Sequence, residues 1–171
     1  MLGKILLTLD AMGLLFGAVA ADYTHTHIFN PRWPPHAKFH CGQTITLSVI
    51  LGLATLYYTW RSLPLPSTSP HNSNSSDKAQ LVLATSLQQQ RKHDALRTAT
   101  FTGTIYWLAG LAAILYPGTE GIDPEFGPPG SFPQLPVFIA FVGLAAGGWW
   151  WESRLLSGAA AAAECLEPKR E

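Results

Sequence analysis

Residues 41–60, CGQTITLSVILGLATLYYTW, contain no charged side chain and are long enough to cross a lipid bilayer as one helix. Three further segments of similar character are residues 5–21, 98–116 and 135–151. Small residues are spaced through all four segments, as in membrane helices that pack closely against one another. Aromatic residues gather near several segment ends, which is typical of the membrane interface. The sequence therefore predicts an all-α fold, a four-helix transmembrane bundle.

The composition excludes several classes of protein. Charged residues make up 13% of the chain and the net charge is zero, whereas soluble domains average about 25% charged residues. No basic patch stands out, so nucleic acid is not an expected partner. The two cysteines, Cys41 and Cys165, are too few and too isolated to predict a disulfide framework or a zinc site. A soluble bundle is the alternative, but soluble helices keep a polar face that these segments lack.

The first apolar segment has a second interpretation, as a secretory signal. Lys4 gives it a basic start, and Ala18-Val19-Ala20 resembles a cleavage site of small residues. Asp10 lies in the middle of the segment, and signal cores rarely contain a charge. We therefore expect residues 5–21 to remain part of the mature protein.

The basic residues predict the orientation in the membrane. They lie mainly at the N-terminus, between the second and third segments and in the C-terminal tail: Lys4, Arg61, Lys78, Arg91, Lys92, Arg97, Arg154, Lys169 and Arg170. Loops rich in Lys and Arg stay in the cytoplasm. The connectors 22–40 and 117–134 then share the opposite side of a multi-pass protein, for which the endoplasmic reticulum or another endomembrane is the expected location.

The chain divides into a four-span membrane domain, residues 1–157, and a polar tail, residues 158–171. Residues 64–77 are rich in Pro, Ser and Asn and predict a flexible cytoplasmic loop. Residues 79–97 contain Leu81, Leu83, Leu87 and Leu96 among Gln, Arg and Lys side chains, which predicts a short amphipathic helix on the membrane surface. Asn74 begins a glycosylation sequon that this orientation leaves unused.

The connector 22–40, DYTHTHIFNPRWPPHAKFH, contains four of the six histidines, together with Asp22 and Arg32. The connector 117–134 contributes Glu120, Asp123 and Glu125 and no basic residue. A histidine paired with a carboxylate can act as a general acid and base near neutral pH. Because the two connectors are expected on the same side, the sequence predicts a polar loop site at one membrane face.

The polar residues of the two connectors and of the first two apolar segments are candidates for catalysis and substrate binding. The predicted catalytic residues are Asp22, His27, Arg32, His40, Asp123 and Glu125, and the predicted substrate-binding residues are Asp10, Trp33, His36 and Gln43. Structural roles remain open: the histidines can sit among lipid headgroups, the arginine can reach a lipid phosphate, and the prolines can form a rigid turn. Four histidines also suggest zinc or iron, but their spacing matches no recognised ligand set, so no metal is expected.

The run from position 21 to 40, ADYTHTHIFNPRWPPHAKFH, resembles the signature of a family of small four-span membrane proteins found in fungi and bacteria. The positions that fit this signature are Asp22, Thr26, His27, Asn30, Pro31, Trp33, Pro34, Pro35, His36, Phe39, His40 and Gln43. The match is specific over this run, and the four-span layout extends it along the chain. Some fungal proteins of this general size and topology accompany polyketide synthases and flavin monooxygenases and are similar to membrane epoxide hydrolases.

The resemblance implies an enzyme of secondary metabolism, an epoxide hydrolase or cyclase that acts on an apolar polyene or polyketide. No cofactor is expected, since the chain has no nucleotide-binding motif and epoxide opening needs only an acid and a base. Asp22 is the expected base, with His27 and His40 as acid or orienting groups. The expected partners are the substrate, the bilayer and membrane-associated pathway enzymes. The alternative is a non-enzymatic membrane protein that binds a sterol or lipid or organises partner enzymes.

Overall fold

The computed structural model describes residues 1–64 and 75–165, and these form four α-helices without a β-strand. The helices are α1 (Leu2–Asp22), α2 (Pro35–Trp60), α3 (Ser75–Ala113) and α4 (Leu135–Cys165). The prediction of an all-α four-helix bundle is therefore confirmed. Three stretches of the described helices are long and apolar enough to cross a membrane: Leu2–Asp22, Pro35–Trp60 and Leu135–Gly158. The chain thus has the character of a membrane protein.

The order of the helices around the bundle brings the two polar connectors together. α1 packs against α2 and α4, and α3 packs against the same two helices. Consecutive helices run in opposite directions, so the connectors 23–34 and 114–134 lie at one end of the bundle. The second helix begins at Pro35, where a proline suits the first helical position because its missing N–H has no helical partner. This early start places His36 and His40 on the same helix.

Several polar side chains are buried inside the bundle, while large apolar side chains lie on its outer surface. Asp10, Ser48 and Thr55 are completely buried between the helices, whereas Phe16 and Leu53 are 60% and 56% exposed. A soluble helix shows the reverse pattern, with its apolar side buried and its polar side in water. Exposed apolar side chains on this scale are what a lipid environment accommodates.

The third helix is longer than the sequence analysis predicts. Residues 79–97 do not form a separate surface helix, because no proline or glycine interrupts the chain from 79 to 102. The predicted span 98–116 is the C-terminal part of α3, which ends at Ala113. Four threonines, at positions 98, 100, 102 and 104, lower its mean hydropathy, and α3 is not among the three most apolar helices. Each hydroxyl donates to a carbonyl of its own helix.

The remaining predictions about chain organisation are only partly covered by the described residues. The predicted tail begins inside α4, since the alanine run after Gly158 continues the helix to Cys165. Most of the predicted flexible loop, with the Asn74 sequon, lies outside the described residues, as do positions 166–171. Those predictions stand as the sequence analysis states them.

Gly148→Ala is expected to destabilise the bundle, because α1 and α4 approach closely at this glycine. A Cβ at position 148 would lie 2.9 Å from the Gly3 carbonyl oxygen and 2.9 Å from Leu7 Cγ. Overpacking of this kind costs about 1–3 kcal/mol. The adjacent Gly147→Ala is the control, since its Cβ would meet only Leu6 Cδ1, at 3.7 Å. Thermal unfolding in detergent should separate the two variants, and equal melting temperatures would contradict this packing.

Candidate functional site

The two polar connectors are joined by hydrogen bonds and an ion pair. Asn30, which is only 2% exposed, donates from Nδ2 to Glu125 Oε1 at 2.9 Å. The Arg32 guanidinium forms an ion pair with the same carboxylate. The Arg32 backbone N–H donates to Asn30 Oδ1 at 2.9 Å, which holds the turn between Asn30 and Arg32 in shape. Glu125 therefore fixes the first connector onto the second.

A second contact between the connectors orients an aromatic ring. Trp33 Nε1 donates to Asp123 Oδ2 at 2.8 Å. The Trp33 ring meets the His27 imidazole edge to face, with ring centroids 4.9 Å apart. The loop clamp is the set of residues that makes these contacts: Asn30, Arg32, Trp33, Asp123 and Glu125. Through Trp33, the loop clamp positions His27.

His27 lies beside the carboxylate at the end of α1. Its Nε2 is 3.7 Å from Asp22 Oδ1, and both side chains are partly exposed, 37% for His27 and 22% for Asp22. The pair is thus shielded on one side by protein and open on the other. This arrangement meets the basic requirement of a general acid and base held within reach of one bound molecule.

A chain of hydrogen bonds determines which nitrogen of His27 carries a proton. The Thr24 hydroxyl donates to the Ala21 carbonyl oxygen at 3.1 Å, because a carbonyl can only accept. Thr26, 2.8 Å from the Thr24 hydroxyl, must then donate to it. His27 Nδ1, 2.8 Å from Thr26 Oγ1, in turn donates to Thr26. Because Nδ1 already carries a hydrogen, a further proton on this pair is bound either to His27 Nε2 or to the Asp22 carboxylate.

The pair opens into a shallow pocket of about 340 Å³. The lining residues are Asp22, His27, Trp33, Ala37, His40, Cys41 and Thr44. The four that belong to α2, at positions 37, 40, 41 and 44, follow the i, i+3, i+4, i+7 pattern and share one face of the helix. The wall of the pocket is therefore rigid helix on one side and the clamped connector on the other.

His40 connects the pocket to two other predicted residues. Its Nδ1 lies 3.3 Å from Gln43 Oε1, and because an amide oxygen accepts, His40 Nδ1 is the donor. Its Nε2 lies 3.1 Å from His36 Nε2, so one of these two ring nitrogens donates to the other. The spacing of four residues on one helical face is the one expected from the sequence. His36 and Gln43 thus orient His40 from outside the pocket lining.

Asp10 lies in a different part of the bundle from the pocket. It is completely buried, and its Oδ1 accepts a hydrogen bond from Trp107 Nε1 at 2.9 Å. Its Oδ2 has no hydrogen-bond partner among the described residues. Asp10 and Asp22 are about 18 Å apart along α1 at the standard helical rise. Asp10 is therefore a buried group of the bundle interior that does not line the pocket, and its predicted role in substrate binding stays a prediction.

The structure thus separates the predicted site residues into groups. Asp22, His27, Trp33 and His40 meet in the pocket, with His36 and Gln43 beside it. Arg32, Asp123 and Glu125 belong to the loop clamp, with Arg32 paired to Glu125 and not to Asp22. Sequence reasoning missed Thr24, Thr26 and Trp107, although the Thr-His-Thr-His run did hold a signal for the two threonines.

No metal centre is formed by the residues that the structure describes, 1–64 and 75–165. Within them, no group of three or more His, Cys, Asp or Glu side chains is arranged so that it could hold a metal ion. The His36–His40 pair supplies only two side chains that could bind the same metal ion.

Comparison with known proteins identifies the family of the chain but gives it no activity. No curated protein and no solved structure matches the chain. One family model matches, over residues 6–163 of the 171, and its description is Family of unknown function (DUF6640). The match includes all four helices and both polar connectors, and the chain belongs to this family.

Proposed function

We propose that the chain is a multi-pass membrane enzyme, an epoxide hydrolase or cyclase acting on an apolar polyene or polyketide of secondary metabolism. The observation that carries this proposal is the Asp22–His27 pair, with His27 Nε2 3.7 Å from Asp22 Oδ1 at the wall of a pocket. An acid beside a base at the mouth of an apolar bundle suits a substrate that arrives from the bilayer and needs no cofactor.

In the proposed reaction one residue of the pair donates a proton and the other removes one. His27 Nε2–H donates its proton to the epoxide oxygen as the C–O bond breaks. Asp22 removes a proton from the attacking oxygen, which belongs to water in hydrolysis or to a substrate hydroxyl in cyclisation. The proton on Asp22 then passes to His27 Nε2 and restores the pair. Placing both groups against one substrate is worth about 10²–10⁴-fold in rate for each proton transfer.

The pocket suits part of an apolar substrate. Its volume of about 340 Å³ is at the lower end of the roughly 300–1,000 Å³ that ligand sites span. Trp33, Ala37 and Cys41 supply apolar lining, and the pocket is open on one side. The epoxide and its neighbouring carbons fit there, and the rest of a long polyene remains in the bilayer.

The proposal includes four membrane spans, with α3 as the third. The α3 threonines expose no unpaired hydroxyl, since each bonds to its own helix, which is the requirement for a helix in lipid. Both termini and residues 61–97 then lie in the cytoplasm, and the pocket faces the lumen of the endoplasmic reticulum or another endomembrane.

Reporter fusions test this orientation. A fusion after residue 75 and one at the C-terminus are both expected to report the cytoplasm, because Lys and Arg concentrate at that end of the bundle. A tag inserted in the connector 117–134 is the control and should report the lumen. Glycosylation of Asn74 in cells would contradict the orientation, since sequons are modified only on the luminal side.

A conversion assay tests the activity. The purified chain in phosphatidylcholine nanodiscs is incubated with a panel of apolar polyene epoxides, chelator and isotopically labelled water. Hydrolysis gives a diol with one labelled oxygen, and cyclisation gives an unlabelled ring ether. Epoxide loss no faster than in empty nanodiscs would contradict the proposal. Saturable sterol or lipid binding in that case would support the non-enzymatic alternative.

A further inference from the structure

We propose that the bundle end opposite the loop clamp contains a binding site for a phosphate-bearing anion, and that the headgroup of an anionic phospholipid occupies it. The site, called here the cation cavity, has a volume of about 520 Å³. Its polar lining includes Lys4, Thr59, Arg61, Ser62, Lys92 and Glu152, contributed by all four helices and the start of the loop after α2. This proposal is independent of the epoxide chemistry.

The charge of the cation cavity is positive. Lys4, Arg61 and Lys92 face one carboxylate, Glu152. That carboxylate is engaged by the N-terminal ammonium, whose nitrogen lies 3.4 Å from Glu152 Oε2. Among the described residues, none of the three cations has a carboxylate within salt-bridge distance. Three cations in one cavity without acidic partners predict an anionic ligand.

Aromatic rings hold two of these cations without neutralising them. Lys4 Nζ lies 5.2 Å from the centroid of the Trp60 ring, and Arg61 Cζ lies 4.9 Å from the centroid of the Tyr58 ring. Such contacts fix the position of a cation and leave its N–H groups free to donate to another acceptor. The cations are therefore placed in advance of any ligand.

Two buried polar atoms of the cavity lack a partner. Thr59 Oγ1 and Arg61 Nε have no hydrogen-bond acceptor or donor among the described residues, and Thr59 is only 6% exposed. Buried polar groups are nearly always paired, so an unpaired pair of donors at one cavity calls for an explanation. Phosphate oxygens accept several hydrogen bonds at once, which makes a phosphate a suitable acceptor for donors on Thr59 and Arg61, both of which line the cavity.

The apolar part of the lining favours a lipid over a free phosphate ion. Leu7, Leu96 and Leu156 line the same cavity as the cations, an arrangement that matches a headgroup with its acyl chains. In the orientation given by the basic residues, this end faces the cytoplasmic leaflet, where anionic lipids attract Lys and Arg.

Native mass spectrometry of the full chain in micelles of phosphatidylcholine and phosphatidic acid tests the proposal. The chain is expected to retain phosphatidic acid selectively, and Arg61→Gln should weaken this retention about tenfold, since it removes charge-assisted hydrogen bonds. Thr59→Val, which keeps the shape and loses the hydroxyl, should weaken it several-fold. Arg91→Gln is the matched control. It removes one arginine charge, as Arg61→Gln does, but Arg91 is on α3 and outside the cavity lining. Lys92→Gln, at an exposed position, serves if Arg61→Gln fails to fold.

Calorimetric titration of inorganic phosphate into the chain in phosphatidylcholine nanodiscs distinguishes the two sources. Arg61-dependent retention of phosphatidic acid without phosphate binding identifies a lipid. Arg61-dependent binding of phosphate alone supports the phosphate site but contradicts the lipid as its occupant. The proposal is overturned if Arg61→Gln, Lys92→Gln and Arg91→Gln all retain phosphatidic acid like the unaltered chain and phosphate does not bind.

Discussion

Asp22→Asn is expected to lower the rate of epoxide opening by about 10²–10⁴-fold, the usual loss when a general base is removed. Asparagine keeps the size and much of the hydrogen bonding of the aspartate but cannot take a proton. The protein should still insert and accumulate, because Asp22 is the last residue of α1 and its side chain is partly exposed. The measurement is turnover normalised to the amount of protein in the membrane.

Two further variants are measured alongside Asp22→Asn, one inside the pocket lining and one outside it. His40→Gln should also lower turnover, since His40 lines the pocket. Lys38→Ala should leave turnover nearly unchanged, because Lys38 is on the same helix but outside the pocket lining. If Asp22→Asn turns over at the normal rate, Asp22 is structural and the acid–base proposal loses its base.

Glu125→Ala is expected to release the first connector from the second. The Asn30 amide, 2% exposed, would lose its carboxylate partner, and a buried polar group left unpaired costs about 1–3 kcal/mol. The ion pair adds little, because the Arg32 side chain is 71% exposed and exposed pairs are weak. A displaced connector also moves Trp33 and His27, so turnover should fall with stability.

Limited proteolysis of the connector 23–34 and thermal unfolding measure this effect. Glu120→Ala is the control, since Glu120 is in the same connector as Glu125 but accepts a hydrogen bond from Gly130 of its own connector. Faster cleavage in Glu125→Ala than in Glu120→Ala is the expected outcome. Equal cleavage in both variants would mean that the loop clamp does not hold the first connector.

The sequence predicts the bundle well because membrane helices are determined by length and apolarity, which can be read along the chain. Residues 41–60 are the clearest example, and the shared side of the two connectors follows from counting antiparallel helices. The continuity of α3 was also readable, since no proline or glycine interrupts residues 79–102, but the polar composition there favoured a separate surface helix.

The sequence does not predict which polar groups meet. His27 and Asp22 are close along the chain, so their contact is local. The partners of Asp123 and Glu125 depend on the three-dimensional path of two irregular connectors, and their carboxylates contact Trp33, Asn30 and Arg32. Similarly, the contact of Asp10 with Trp107 depends on how two helices are rotated about their axes, which a linear pattern of apolar residues leaves open.

A double-mutant cycle on turnover tests the central claim most directly, namely that Asp22 and His27 act as one acid–base unit. Turnover of a polyene epoxide is measured for the unaltered chain, Asp22→Asn, His27→Gln and the double variant. Residues that act as a unit give strongly non-additive losses. We predict that the double variant is about as slow as Asp22→Asn alone. Losses that multiply, or a double variant that turns over at the normal rate, would contradict the account.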